Sequence, residues 1–581
     1  MLDKTSPLNL IILMLINFVF HLFEITSIFD IHYKTPIVHN LKSHFSVPPN
    51  STEFPKAKRV ILLLLDGGRA DYFYEEIGKN KASFFKKIAT EEGVWGISNT
   101  RVPTETRPCI IAATSGFFED PSNMITGLSY NAVPFDSIFN HSKKAFGFGG
   151  PGGTMFIKNV PQMEYYGDEK LSKLDFSCET AYMMDKLTLE ILEKLIDKAK
   201  NGDKKLEQEL KINKTIMFFH METLESFGHS RKIKENREHI SYLSELIEKF
   251  VNIVENFYKD NSTAYVLTSD HGIDNRGAHG DGDPNCTRTP FLAWGAGIRK
   301  AINIENDNSK KSKILFKDKT HKEWGLENYI RQDIHQINLA PLMAALIGID
   351  FPTNSIGFID EDILDTTDEI KAKILYQNTL ELLEIYHAKE NEKLKAFFYR
   401  PYKKLKNLEK MQKNILEKIK SGRVIEAKKE IIDLANLVLK GINYLERYDS
   451  TFIGISAIIS YILWMLYLFT YISMNTDPNI NYTFILNKSS RPSFIFVLFI
   501  TLILALYLFL QKCPFKYYFY MLFPCYFGWR VISERKYLLK FLDYNSCSKE
   551  TFFKIFIQIC AIMASLSLVS ILNIFNIINN I

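Results

Sequence analysis

Acidic and imidazole side chains follow the apolar, strand-like runs in the middle of this chain. The run VILLLLDGG (60–68) leads into an acid, and the run AYVLTSDHG (264–272) leads into an acid and a histidine. Zinc takes carboxylate and imidazole ligands in proteins, and a catalytic zinc site leaves one coordination position open. Each group alone has a structural explanation, such as a helix cap or a core histidine, but the combination predicts a metal site. The candidate ligands are Asp66, Glu225, His229, Asp270, His271 and His279.

The segment RVPTETRP (101–108) offers a nucleophile for such a site. Thr104 lies in a turn that two prolines make rigid, and Arg107 is placed to contact a phosphate or an acid. A threonine hydroxyl is a poor nucleophile until a base or a metal removes its proton. Two cations about 4 Å apart would also neutralise the charge of a phosphodiester. We therefore expect Thr104 to be the nucleophile of a site for two divalent ions, of the kind that zinc occupies.

Hydrophobic periodicity indicates which elements position these groups. The runs at 60–65, 215–220 and 264–268 are nearly continuous rather than alternating, which is typical of strands buried on both faces of a sheet. Polar residues and then a helix-like stretch follow each run. The pattern predicts an α/β fold with a mainly parallel sheet and helices on both faces. Ligands of such sheets bind beyond the carboxyl ends of the strands, where the candidate residues lie.

Apolar residues are concentrated at the two ends of the chain. The 581 residues are 46% hydrophobic and 24% charged, and a chain of this length exceeds a single core. The formal net charge of +5 is small and its basic residues are scattered, so nothing favours nucleic-acid binding. We expect an N-terminal anchor over 1–30, a catalytic domain over 31–360, a helical region over 361–449 and a membrane region over 450–581.

Both ends contain candidate membrane spans. The run from 8 to 28 is about 20 residues long, which is enough to cross a bilayer, and no small-x-small site follows it. An uncleaved anchor is therefore favoured over a signal peptide. Basic residues between 530 and 540 fit a cytoplasmic loop. Counting the spans back from that loop places the region 30–450 on the lumenal side. Sequons in that region are compatible with this side. The C-terminal candidates lie at about 452–473, 493–511, 516–532 and 552–578.

Several motifs are specific in combination, although the acid–glycine and acid–histidine pairs are common alone. They are DGGRAD (66–71), RVPTETRP (101–108), ESFGHS (225–230), TSDHG (268–272) and GAHG (277–280). The set resembles the alkaline phosphatase superfamily and, more closely, the GPI ethanolamine phosphate transferases that act on the first mannose. HLFEITSIFDIHYKTPIVH (21–39) is similar to that family's membrane-exit segment. The resemblance runs from about residue 10 to residue 460.

The resemblance implies a division of the ligands between two metals. One metal is implied to bind Asp66, Thr104, Asp270 and His271, and the other is implied to bind Glu225, His229 and His279. The family has aspartate where this chain has Glu225, and a histidine where it has Asp283. The C-terminal membrane region is also expected to be shorter than in the family, with about four spans.

The activity implied is transfer of phosphoethanolamine from phosphatidylethanolamine to the first mannose of a GPI precursor, through an intermediate on Thr104. The resemblance further implies a multi-pass protein of the endoplasmic reticulum membrane with a lumenal catalytic domain. Within that domain, Arg107 is a candidate substrate-binding residue. Two alternatives remain: a lumenal phosphodiesterase that uses water as acceptor, and a non-catalytic membrane scaffold. A sulfatase is disfavoured, because Cys109 lies outside the Cys-x-Pro-x-Arg arrangement of those enzymes.

Overall fold

A computed structural model of the chain describes residues 7–32, 37–48, 51, 53–120, 135–149, 160–167, 178–304, 311–316, 321–476 and 491–543. These residues fall into two compact units. The larger unit lies within 37–388 and 403–442, and the smaller lies within 1–36, 389–402 and 443–581. The domain limits expected from the sequence stay a prediction.

The larger unit is built on one mixed sheet of eight strands, in the order β4-β3-β5-β1-β6-β7-β2-β8. Strand β7 is antiparallel to both of its neighbours, and every other pair is parallel. The mainly parallel sheet expected from the sequence is confirmed. The strands are β1 (Arg59–Leu65), β2 (Gly93–Asn99), β3 (Lys144–Phe148), β4 (Met163–Tyr166), β5 (Thr215–Met221), β6 (Thr263–Ser269), β7 (Arg288–Gly295) and β8 (Ile334–His335).

The three central strands end at the same level. Leu65, the last residue of β1, is paired with Met221 of β5 and with Ser269 of β6. Every residue of these three strands is buried, as their nearly continuous apolar sequences predict. The next residue of each chain segment therefore emerges at one edge of the sheet, and these residues are Asp66, Glu222 and Asp270.

Helices cover both faces of the sheet, as expected. On one face, Ile61 and Leu63 of β1 share a buried core with Phe73 and Leu243. On the other face, the fully buried helix Leu339–Ile347 packs against β1 and against the helix that follows segment 101–105. The helices are α1 (Pro7–His32), α2 (Ala70–Gly78), α3 (Ser83–Lys87), α4 (Thr106–Ser115), α5 (Ile138–His141), α6 (Cys178–Lys200), α7 (Lys204–Leu210), α8 (Thr223–His229), α9 (Ile233–Tyr258), α10 (Pro284–Thr287), α11 (Leu339–Ile347), α12 (Asp368–Lys393), α13 (Leu408–Lys420), α14 (Val424–Glu446), α15 (Ser450–Thr476), α16 (Arg491–Leu510) and α17 (Lys516–Asp543). Single π or 3-10 turns occur at Ile88–Glu92, His321–Trp324, Gln336–Asn338, Glu361–Ile363 and Lys403–Leu405.

Three helical stretches of the described residues are long and apolar enough to cross a membrane. They are Ile11–His32, Val424–Tyr471 and Arg491–Leu510. They include the expected N-terminal anchor and the first two expected C-terminal spans.

The other two expected spans have different outcomes. Residues 516–532 form part of α17, and this helix is not one of the three stretches that are long and apolar enough to cross a membrane. Helix α17 contains Pro524 and continues into the charged residues Arg530, Glu534 and Arg535. Residues 552–578 lie outside the described residues.

Candidate metal centre

Two buried carboxylates face each other at the ends of β1 and β6. Asp66 is 4% exposed and Asp270 is 0% exposed. Asp270 Oδ1 accepts hydrogen bonds from the backbone N–H groups of Gly67 (3.2 Å) and His271 (2.7 Å). Asp270 Oδ2 and Asp66 Oδ1 have no hydrogen-bond partner, and His271 Nε2 lies 3.5 Å and 3.6 Å from them. Buried carboxylate oxygens without donors beside an imidazole nitrogen suit a cation.

The glycines after Asp66 let the chain turn tightly around these carboxylates. Gly67 has φ +71°, and a Cβ at this position would lie 2.9 Å from the Cα of Glu225. The N–H of Gly68 donates to Ser269 Oγ at 2.8 Å, which ties the turn to the end of β6. A side chain at residue 67 would therefore push α8 away from β1.

Helix α8 places Glu225 and His229 on one face because they are four residues apart. Glu225 Oε1 lies 2.7 Å from His229 Nε2 and 3.3 Å from His279 Nε2. Glu225 Oε2 is buried without a hydrogen-bond partner. The two histidines thus converge on one carboxylate from different segments of the chain.

Backbone carbonyls fix the orientation of both histidine rings. His279 Nδ1 donates to the carbonyl of Thr104 at 2.9 Å, and His229 Nδ1 donates to the carbonyl of Gly277 at 2.9 Å. Because a carbonyl only accepts, Nδ1 must carry a proton in each ring, and Nε2 is presented to Glu225. This is the outer-shell arrangement found around metal-binding histidines.

Burial and a neighbouring negative charge raise the pKa of each strand-end carboxyl. Burial, and then the charge of Asp66, raise the pKa of Asp270 to about 8. Burial and then the charge of Glu225 raise the pKa of Asp66 well above its usual value. Burial opposes ionisation of Glu225 as well, but hydrogen bonds from His229 and His279 hold its pKa below the usual value. Without a cation the centre therefore holds protons that a metal would displace.

Potential ligand atoms form overlapping groups within 4.8 Å. One group is Asp66, Asp270 and His271, and another is Glu225, His271 and His279. The strand-end group contains three of the four residues implied for the first metal; the fourth is Thr104. The other group contains His271 where His229 was implied, although His229 still contacts Glu225. The donor set and the unpartnered oxygens fit divalent cations, which in such a site stabilise negative charge on a phosphoryl group.

Two threonines of segment 101–106 lie beside these ligands in different ways. Thr104 is 0% exposed; its hydroxyl donates to the carbonyl of Asp281 at 2.9 Å and accepts from the N–H of Gly280 at 2.8 Å. Thr106 is partly exposed and is the first residue of α4, and its hydroxyl lies 3.4 Å from His271 Nε2. Thr104 thus anchors the loop that carries His279, whereas the hydroxyl of Thr106 faces a predicted ligand.

Arg107 forms an ion pair with an acid, one of its two expected partners. Its guanidinium donates to both carboxylate oxygens of Glu119, with Nη2 2.7 Å from Oε1. Asp283 stands where the family resembled has a histidine. Its side chain caps the short helix α10 by accepting a hydrogen bond from the N–H of Asn285 at 2.8 Å.

Three residues that the structure brings to the centre were not among those expected from the sequence. Thr106 is one, and the others are His220 and Glu222, which form a group with Asp66. His220 lies near the end of β5, in the same way that Asp66 and Asp270 directly follow β1 and β6. Its place at the end of an apolar run could therefore have identified it.

Comparison with known proteins found one family model and several named relatives that this chain resembles. The model of the family described as PigN, Phosphatidylinositolglycan class N (PIG-N), matches residues 440–576. GPI ethanolamine phosphate transferase 1 from Mus musculus is 33% identical over 539 residues, covering 90% of this chain and 56% of the mouse protein. The proteins of that name from Homo sapiens (34% identity) and Saccharomyces cerevisiae (31%) align with 90% of this chain, and with 56% and 58% of their own lengths.

Over nine-tenths of its length, the chain is similar to the GPI ethanolamine phosphate transferases 1. The resemblance seen in the motifs is confirmed. The chain spans about half the length of the curated relatives it matches.

Comparison with solved structures found, among others, a protein in the alkaline phosphatase superfamily from Vibrio parahaemolyticus. It is 16% identical with a TM-score of 0.37, and the match covers 61% of this chain and 79% of that one. The lipoteichoic acid synthase LtaP from Listeria monocytogenes is 13% identical with a TM-score of 0.32, covering 53% of this chain and 76% of that one.

Proposed function

We propose that this chain is a phosphoethanolamine transferase of GPI synthesis that depends on two divalent ions, zinc being the metal its ligands suit. Phosphatidylethanolamine is the donor, and the first mannose of a GPI precursor is the acceptor. The observation that carries the proposal is the convergence of Asp66, Asp270, His271, Glu225 and His279 beside a threonine hydroxyl. The names of the curated relatives supply the transferred group.

The reaction needs two displacements at phosphorus. A threonine oxygen forms a bond to the phosphorus of the donor while the bond to the diacylglycerol oxygen breaks, and that oxygen takes up the proton that the threonine hydroxyl loses. The mannose hydroxyl then forms its bond to phosphorus while the threonine–phosphorus bond breaks, and the proton of the mannose hydroxyl returns to the threonine. Cations bound at the centre would favour the ionised hydroxyl and neutralise phosphoryl charge.

The contacts of segment 101–106 favour Thr106 as the nucleophile, while Thr104 is the candidate expected from the sequence. The hydroxyl of Thr104 is buried and bonded to backbone on both sides, so it must give up the hydrogen bond that it donates to the carbonyl of Asp281 before it reacts. The hydroxyl of Thr106 is accessible and lies beside His271. It also stands at the N-terminus of the ten-residue helix α4, which favours negative charge on a bound phosphoryl group.

Trapping the intermediate tests the proposal. The full chain, purified in detergent with zinc, is incubated with phosphatidylethanolamine and without acceptor, and its peptides are analysed by mass spectrometry. We expect phosphoethanolamine on Thr106, no adduct in Thr106→Ala, an adduct in Thr106→Ser, and a reduced adduct in Thr104→Ala. An adduct that Thr104→Ala removes and Thr106→Ala retains would instead make Thr104 the nucleophile.

The acceptor requires a separate experiment. Cells that lack the first-mannose transferase are supplied with this chain, and their GPI intermediates are analysed by mass spectrometry. Phosphoethanolamine on the first mannose is expected. Release of free phosphoethanolamine with no modified mannose would favour the phosphodiesterase, and absence of both zinc and turnover would favour the scaffold.

A further inference from the structure

The segment that follows helix α12 exposes large apolar side chains. In this segment, residues 394–402, the side chains of Leu394, Phe397 and Phe398 are exposed, and Phe397 is 72% exposed. Phe515, in the turn between α16 and α17, is 76% exposed. Apolar side chains grouped on a surface in this way mark a site of contact with a protein or a membrane.

Hydrogen bonds and ring contacts hold this segment against the other parts of the smaller unit. The N–H of Phe397 donates to the carbonyl of Leu510, the last residue of α16, at 3.0 Å. The hydroxyl of Tyr448 donates to the carbonyl of Phe398 at 3.3 Å, and the ring of Phe398 stacks on that of Tyr507. The phenylalanines are therefore exposed on a segment that is fixed in place, and not on a loose tail.

Helix α16 fixes the level at which this segment lies. The helix is twenty residues long, which corresponds to about 30 Å, the thickness of the hydrocarbon core of a bilayer. Every residue of this helix except Leu508 is at least partly exposed, and the exposed side chains near its end include Leu506 and Phe509. Because Phe397 is bonded to the last carbonyl of this apolar helix, it lies where hydrocarbon gives way to headgroups, a level at which aromatic side chains are enriched.

Positive charge surrounds the exposed phenylalanines. Segments 394–402 and 511–516 contain no acid, and their basic residues are Lys395, Arg400, Lys512 and Lys516. Lys516 Nζ lies 2.6 Å from Asp30 Oδ1. Among the described residues, the other three form no ion pair. Cations at the rim of an apolar surface match the phosphates of phospholipids, since their apolar stems lie along the surface while their charges reach the headgroups.

We propose that segment 394–402 and Phe515 form a membrane-contact surface that binds phospholipids at the end of α16. The phenylalanine rings enter the bilayer, and Lys395, Arg400 and Lys512 contact lipid phosphates. Segment 394–402 belongs to none of the three candidate spans, so this contact is additional to theirs. The inference is independent of the proposed function, because none of these residues belongs to the metal centre.

Photo-crosslinking tests the contact with lipid. The full chain carrying Phe397→benzoylphenylalanine is placed in nanodiscs of equal parts phosphatidylcholine and phosphatidylglycerol and irradiated, and its peptides are analysed by mass spectrometry. We expect a phospholipid adduct at residue 397, as at residue 499 in the positive control Phe499→benzoylphenylalanine, since Phe499 is an exposed residue of α16. Tyr242→benzoylphenylalanine is the matched negative control, because Tyr242 is an exposed aromatic residue of α9 between the exposed acids Glu238 and Glu245.

The lipid composition of the adducts tests the role of charge. Adducts at residue 397 should contain the anionic phosphatidylglycerol about twofold more often than phosphatidylcholine, because basic residues at a membrane surface attract anionic lipids. Combining Lys395→Gln, Arg400→Gln and Lys512→Gln should remove this preference. Equal labelling by the two lipids in the chain that keeps its basic residues would overturn the phosphate contact.

Other outcomes would overturn the surface itself. Residue 397 that crosslinks to another part of the chain, or to a second copy, and not to lipid while residue 499 reacts with lipid would show that protein covers these phenylalanines. Lipid adducts as abundant at residue 242 as at residue 397 would equally refute a specific contact.

Discussion

At the scale of single residues, the centre combines carboxylates that resist ionisation with histidines whose Nε2 atoms face Glu225. Asp66 and Asp270 emerge from neighbouring strands. Burial and the charge of Asp66 raise the pKa of Asp270, and burial and the charge of Glu225 raise the pKa of Asp66. His229 and His279 are held by backbone carbonyls through Nδ1. Such a cluster is unfavourable when empty, and cations would relieve the repulsion between its carboxylates.

Removing a ligand from the strand-end group should abolish activity. We expect Asp270→Ala and His271→Ala to lower transfer more than about 100-fold, because changes even in residues that support a metal ligand cost 10- to 100-fold. Glu225→Asp should retain activity, because it keeps a carboxylate on α8. Transfer of labelled phosphoethanolamine measures both effects, and near-normal turnover by Asp270→Ala would refute its role as a ligand.

Metal binding should release protons and weaken as the pH falls. Asp270 has a pKa of about 8 and His279 a pKa of about 9 without metal, so both hold protons at neutral pH that a cation must displace. Zinc affinity should therefore rise from pH 6 to pH 9, by about one logarithmic unit per pH unit for each proton released. Calorimetry in buffers of different ionisation enthalpy measures the number of protons. Affinity that does not change over this range would contradict the assignment.

At the scale of elements, three strands in register bring the acids together, and the turn after β1 brings α8 against them. Leu65, Met221 and Ser269 end their strands at one level, so the residues that follow share one edge of the sheet. Gly67 then allows the close approach of Glu225. The position of α8 relative to β1 therefore decides whether the two ligand groups meet.

Gly67→Ala should separate the two groups. The residue has φ +71°, and its new Cβ would meet the backbone of Glu225. Gly422→Ala is the matched control, because Gly422 has φ +72° and open space around its Cβ position. The shared left-handed conformation costs about 1–2 kcal/mol in both variants, whereas only Gly67→Ala should also lose zinc. Unfolding by denaturant and metal content are measured together, and full zinc content in Gly67→Ala would disprove the steric role of Gly67.

At the scale of the whole molecule, a unit with a buried polar centre is combined with a unit that contains membrane-length apolar helices. Sequence similarity to GPI ethanolamine phosphate transferases 1 extends over 90% of the chain and therefore across both units. Because the proposed donor and acceptor are both lipid-linked, spans that confine the chain to the same membrane would raise the effective concentration of each substrate.

The lumenal orientation expected from the sequence predicts glycosylation of the larger unit. Asn261 begins the sequon Asn261-Ser262-Thr263 and is exposed. When the chain is made in cells, treatment with an endoglycosidase should increase its electrophoretic mobility. The variant Asn261→Gln should lose the part of this shift that comes from glycan at residue 261. Asn80→Gln, an exposed asparagine outside any sequon, should change nothing. Digestion of residues 37–388 by protease added to sealed microsomes would contradict the orientation.

The sequence by itself determined the sheet and most of the centre. Continuous apolar runs ending in acids specify buried parallel strands, and such strands bring their carboxyl ends together whatever the intervening chain does. Asp66, Asp270 and His271 could therefore be grouped without coordinates.

Only the tertiary structure decided which neighbouring groups face that edge. Thr104 and Thr106 are two residues apart in one motif, and a turn followed by a helix start points the two hydroxyls at different partners. His220 and Glu222 join Asp66 because the register of β5 against β1 sets their level. These outcomes depend on distances between segments remote in the sequence, which local patterns do not encode.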